Sequence, residues 1–144
     1  MKKTKSPFDR FNIIALIATT LVQQSHADSG TWNGTTDATW NTVTNWSSDP
    51  NPVPGTGNTA KFDNAGGTVD TIDLGAGVSI GSIVFDTTNV AAYTIGSGAV
   101  SSQTLTLDNE GSIVANNGIN TNQIINAKVI LGTDGSAQSL SLIH

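Results

Sequence analysis

Carboxylates are the residues in this chain numerous enough to suggest acid–base chemistry, and two of them, Asp70 and Asp73, stand three apart in VDTIDL. Glycoside hydrolysis needs two carboxyl groups about 5 to 10 Å apart across a cleft. Residues three apart on one strand point to opposite faces, so this pair reads as solvated acids at strand ends and turns. Asp108, Glu110 and Asp134 (in GTDG) offer the hard oxygen ligands that calcium takes. Neither the spaced aspartates of an EF-hand loop nor a GGxGxD nonapeptide accompanies them, and ordinary turn chemistry explains them equally well. The chain has no cysteine, and its two histidines are His26 and His144. A serine nucleophile therefore has no histidine base in the intervening chain, and zinc lacks its usual ligands. No glycine-rich stretch carries a phosphate-loop lysine. No catalytic, cofactor-binding or metal-binding residue is assigned, and no enzymatic activity is expected.

Three tryptophans, Trp32, Trp40 and Trp46, carry the other chemistry that residue type can suggest. Exposed indoles stack on sugars, so these three could form a carbohydrate-binding platform with at least two coplanar, accessible rings. The competing expectation is that they bury themselves to close one end of a stacked structure. The second is favoured, because Trp40 and Trp46 lie near Phe62 in a segment without regular strand rhythm.

The elements that hold these residues follow from composition. Lys2, Lys3, Lys5 and Arg10 precede an uncharged run from Phe11 to Val22. At about a dozen residues that run is shorter than the roughly 20 needed to span a bilayer as a helix. Ser25 and Ala27 then place small side chains where a signal peptidase accepts them, so residues 1–27 read as a secretory signal cleaved after Ala27. Beyond it, Lys61 and Lys128 stand against ten acids, a formal charge of −8. Such a surface repels nucleic acid and anionic membranes. The remaining chain is rich in Thr, Ser, Asn and Gly, which suits strands and tight turns better than helices.

Composition shifts at about Thr68. Residues 28–67 hold all three tryptophans and Pro50, Pro52 and Pro54; residues 68–144 have no Trp or Pro. In their place, apolar runs recur at Ile72/Leu74, Ile83/Phe85, Tyr93/Ile95, Leu105/Leu107, Ile113/Val114, Ile124/Ile125, Val129/Leu131 and Leu140/Leu142. Most steps are about ten residues, with turn-forming residues between them. Within QTLTLD, Leu105 and Leu107 share one face and Thr104, Thr106 and Asp108 the other. The pattern predicts an all-β fold: a right-handed parallel β-helix or similar β-solenoid, with residues 28–67 as an irregular cap and 68–144 as its first coils. A β-sandwich is the alternative. SLSLIH ends inside an apparent strand, so the chain is expected to be the front of a longer protein. Its open last strand is expected to favour self-association.

The stretch TWNGTTDATWNTVTNWSSDPNPVPGTGNTAKFDN, followed by GSIVFDTTNVAAYTIGSG and LTLDNEGSIVANNGINTNQIINAKVILGTDGSAQSLSL, resembles exported bacterial proteins built from autotransporter-associated β-strand repeats. The resemblance implies a β-helical passenger region, displayed on or released from the cell surface and linked to adhesion or matrix roles. It also implies a C-terminal β-barrel translocator or sorting tail, for which these residues hold no counterpart. The expected partners are surface glycans or matrix components. β-Helices also include polysaccharide-degrading enzymes, a weaker reading here because residues 28–144 contain no arginine and two lysines to hold an acidic sugar.

Overall fold

The computed structural model describes residues 29–47, 53–63 and 69–132, together with the backbone of 139–142. The segment expected to be a secretory signal, with its expected cleavage position at Ala27, lies outside the described residues. Ten strands follow in order: β1 Gly30–Trp32, β2 Trp46–Ser47, β3 Thr59–Phe62, β4 Thr71–Ile72, β5 Val78–Phe85, β6 Thr94–Ile95, β7 Thr104–Ala115, β8 Ile124–Ile125, β9 Lys128–Leu131 and β10 Ser139–Leu142. A 3-10 turn, Val43–Asn45, precedes β2.

The strands form two sheets. The larger runs β10-β7-β5-β3-β1-β2, with β9 also paired to β7; the smaller runs β4-β6-β8. Every strand pairing is parallel except β1 with β2. A parallel partner must be reached by a crossover rather than a hairpin, and here the crossover is the opposite wall of the coil. Thr59 pairs with Ser82 and Ser82 with Ser112, so successive coils advance 23 and then 30 residues. The ten-residue rhythm of the sequence therefore marks the sides of a coil. The fold is a parallel β-solenoid of roughly three turns; a sandwich would have needed antiparallel neighbours.

Alternation along each strand sends one set of side chains inward. In register, these stack into columns: Ala60, Ile83 and Ile113; Phe62, Phe85 and Ala115; Val78, Leu105 and Val129; Ile80, Leu107 and Leu131; Ile72, Ile95 and Ile125. Phe62 and Phe85 lie 5.5 Å apart between ring centroids. Through the first three coils the inward residues of the larger sheet are buried, except the partly buried Ala115, each burial of a Leu, Ile or Phe contributing about 1.5–3 kcal/mol. The outer positions carry polar ladders, as where the Ser82 and Ser112 hydroxyls meet at 3.0 Å.

Two apolar runs of the sequence, Leu105/Leu107 and Ile113/Val114, fall in one strand, β7. Between them the register with β5 jumps: Ile80 pairs with Leu107 but Ser82 with Ser112, so Gly81 alone opposes residues 108–111. Asn109 and Glu110 take positive φ of 54° and 61° to make this bulge. Gly81 is confined from the other side, where an added Cβ would sit 2.7 Å from the carbonyl oxygen of Asn58.

Candidate functional site

The tryptophans gather at the N-terminal end of the stack. Trp32 on β1 faces Trp46 on β2 in the antiparallel pair, and Trp40 arrives from the turn that precedes the 3-10 segment. Trp46 packs edge-on against both, 5.0 Å from Trp32 at 75° and 4.7 Å from Trp40 at 63°. Phe62 lies beneath all three. The rings are 3 %, 1 % and 2 % exposed for Trp32, Trp40 and Trp46. Each indole N–H donates to a backbone carbonyl: Trp40 to Pro54 at 3.0 Å, Trp46 to Trp40 at 2.7 Å and Trp32 to Val69 at 3.4 Å. The geometry required of a sugar platform, coplanar and accessible rings, is thus replaced by a closed edge-to-face cluster. The physical reason is that the first coil would otherwise leave Phe62 and Ala60 facing water.

Asn45, which sequence reasoning passed over, organises this cap. It is completely buried. Its side-chain oxygen accepts from the backbone N–H of Thr36 at 3.0 Å and Asp37 at 3.3 Å. Its amide donates to the Asp37 carbonyl, the Asp37 carboxylate and the Thr39 carbonyl at 2.9, 2.9 and 3.0 Å. Asp37 also accepts from Thr39 N at 2.7 Å and from the Thr42 hydroxyl at 2.9 Å. The backbone donation from Thr39 leads the interactions that hold its carboxyl below the usual range, against an opposing desolvation. The cue in the sequence was a polar residue abutting Trp46, which by itself does not distinguish a buried amide from a solvated one.

Of the two aspartates singled out for chemistry in VDTIDL, Asp73 is committed to the fold through its carboxylate and Asp70 through its backbone. Asp73 accepts from Gly75 N at 2.8 Å and from the Gln103 amide, and these donors hold its carboxyl below the usual range. Gln103 in turn accepts from Leu74 N at 3.1 Å and Ser97 N at 2.8 Å, tying the corner after β4 to the corner after β6. Asp70 is exposed at the start of β4, and its backbone carbonyl takes the Thr94 N–H at 2.7 Å. The two acids thus flank a two-residue strand, with Asp73 committed to a corner.

Asp86 occupies a second ladder. It meets Lys61 Nζ at 2.7 Å and the Asn116 amide of the following coil. Asp63, one coil earlier, lies 3.8 Å from the same ammonium. The Lys61 hydrogen bond lowers the Asp86 carboxyl, and Asp86 chiefly raises the ammonium. Both side chains are about one third exposed, so the pair contributes at most about 1 kcal/mol.

Asp108 and Glu110 lie in the β7 bulge, while Asp134, His26 and His144 fall outside the described residues. Among the described residues, no group of three or more His, Cys, Asp or Glu side chains is arranged to hold a metal ion. No described helix is long and apolar enough to cross a membrane. Amides form the recurrent polar motif: Gln123 donates to the Ala91 carbonyl at 2.8 Å and accepts from Tyr93 N at 3.2 Å. Asn126 spans the Gly96 and Gly98 carbonyls at 3.1 and 3.2 Å. These residues sit immediately beside strands, each reaching back one coil. The arrangement is competent to fasten coils and to present an outer surface of hydroxyls and amides. No family model, curated protein or solved structure matches the chain.

Proposed function

We propose that this chain is a non-catalytic passenger protein, exported and displayed at or beyond the bacterial cell surface, whose solenoid serves a structural or adhesive role. The observation that carries this reading is the commitment of the reactive groups to the fold. Asp37, Asp73 and Asp86 each accept hydrogen bonds that close a turn or join neighbouring coils, and the three indoles are buried. What remains on the outside of the strands is chiefly Ser and Thr, interrupted by the Lys61, Val84 and Val114 column, a surface suited to many weak contacts made in parallel rather than to one deep site. Surface glycans or matrix polymers are the partners such an array fits.

The test presents the chain at high density on beads and as free protein to immobilised polysaccharides and matrix polymers. Retention of the beads with negligible binding of the free chain, and with no polymer shortened, is the expected result. Release of oligosaccharide would instead indicate an enzyme. Saturable binding of the free chain that shields tryptophan from acrylamide would indicate a sugar-binding module.

A further inference from the structure

We propose that the turn after strand β7 is a site of spontaneous covalent modification, in which Asn117 deamidates through attack by the backbone nitrogen of Gly118. The sequence holds two Asn-Gly pairs, Asn33-Gly34 and Asn117-Gly118. In both, the glycine takes a positive φ, 54° at Gly34 and 88° at Gly118, the conformation for which turns select this dipeptide. A glycine also leaves its own nitrogen unshielded by a Cβ. Residue type alone therefore makes the two pairs equally reactive, and the fold separates them.

Asn33 is fastened. Its side-chain oxygen accepts from the Thr35 N–H at 3.3 Å and from the Thr35 hydroxyl at 3.2 Å, and its backbone N–H donates to the Asn45 carbonyl at 2.8 Å. Gly34 is buried against the Trp32 indole, whose Nε1 lies 2.7 Å from where a Cβ would sit. Bringing the side-chain carbonyl carbon of Asn33 onto Gly34 N would break the bonds to Thr35 inside a closed cap. Asn117 and Gly118, by contrast, are both exposed. Among the described residues, no hydrogen bond holds the Asn117 side chain or engages the Gly118 N–H. Nucleophile, electrophile and water therefore meet without any native contact being lost. The preceding coil, in register through Phe85 and Ala115, carries Thr87 and Thr88 at this place, and neither has an amide to lose.

In the reaction, Gly118 N bonds to Asn117 Cγ and the Cγ–Nδ2 bond breaks. The departing nitrogen takes the Gly118 proton and leaves as ammonia, and a cyclic succinimide remains. Water then adds at either ring carbonyl. Opening at Cγ gives aspartate; opening at the main-chain carbonyl gives isoaspartate, in which the chain runs through Cβ. Nothing is oxidised or reduced, and both products carry a new carboxylate. Each side of the turn is pinned to the preceding coil, Asn116 N donating to the Phe85 carbonyl at 2.9 Å and the Thr121 hydroxyl to the Val90 carbonyl at 2.8 Å. The extra main-chain carbon of isoaspartate is absorbed between those anchors, so the product stays within the folded solenoid.

Peptide mass spectrometry of the intact chain, incubated folded at mildly alkaline pH, tests this, with isoaspartate located by enzymatic methylation. Asn117 should convert at least about tenfold faster than Asn33, a barrier difference of about 1.4 kcal/mol. In concentrated urea the two rates should converge, because the cap no longer protects Asn33. Asn117→Gln, whose longer side chain must close a larger and less favourable ring, should remove the early isoaspartate and leave the circular dichroism spectrum unchanged. Asn33 keeping pace with Asn117 in the folded chain, an intact Asn117 after the time in which the urea-treated chain converts, or early isoaspartate that persists in Asn117→Gln would each overturn the proposal. This inference stands independently of the passenger role.

Discussion

At the scale of single residues, the polar side chains that matter most are those whose removal strands several partners at once. Asn45 satisfies two backbone donors and two backbone carbonyls inside the cap. Replacing it with alanine leaves those groups buried and unpaired, at about 1–3 kcal/mol each if none is rehydrated. The expected loss is about 2–4 kcal/mol because part of the turn opens to water, measurable as a lower urea midpoint followed by tryptophan emission. Tyr93 gives a complementary reading at high pH. Burial first, then the nearby charges of Asp70 and Asp63, push its phenol up to about 12. The fold thus favours the neutral phenol. That contribution is complete below the unfolded value of about 10 and is lost as pH rises from there through 12. Spectrophotometric titration of folded protein should show phenolate appearing late; ionisation near 10 with the fold intact would contradict the buried environment.

At the scale of elements, the β7 bulge shows how a coil of 30 residues stacks on one of 23. Three of the seven additional residues are placed in the bulge opposite Gly81 and the other four lengthen the corner between β6 and β7, leaving the inward columns Ile80–Leu107 and Ile83–Ile113 in step on either side. Gly81 is constrained by backbone on the far side, with Asn58 O and Gly57 C both 2.7 Å from where a Cβ would lie. Gly75, at φ +58°, has nothing within 4 Å of that position. Gly81→Ala should therefore destabilise by about 1–3 kcal/mol through forced backbone movement. Gly75→Ala should cost about 1 kcal/mol from its left-handed conformation alone. Denaturation midpoints of the two variants, measured side by side, test whether close approach or backbone angle sets the cost.

At the scale of the whole molecule, stability should be most sensitive to acid. Asp37, Asp73 and Asp86 all have carboxyl groups held below their ordinary value by donors that the unfolded chain lacks. Their contribution is complete above the unfolded value of about 3.9 and disappears as pH falls through the lowered folded values. The thermal midpoint should stay level from about pH 5 to 8 and then fall steadily below about pH 4. A midpoint unchanged down to about pH 2 would show that these ladders contribute little. Because each coil touches chiefly its neighbours, losses at one corner should spread along the stack only as far as the adjoining interfaces carry them.

The sequence by itself determined the all-β character, the inward and outward faces of the strands and the position of nearly every apolar run. Alternation with a period of two is a local property, and the spacing of turn residues is equally local. It also distinguished the tryptophan-rich segment from the chain that follows, although the larger sheet begins at β1 and β3, within that segment. Tertiary structure alone decided which runs stack on which, because a coil advance of 23 or 30 residues depends on whether a surplus loop bulges outward or lengthens a side. It decided likewise that Asn45 is buried, that Gln103 reaches back to the corner of the preceding coil, and that the indoles pack edge to face. Those outcomes depend on partners distant in the chain, and residue type at one position does not encode the neighbour that another coil will bring.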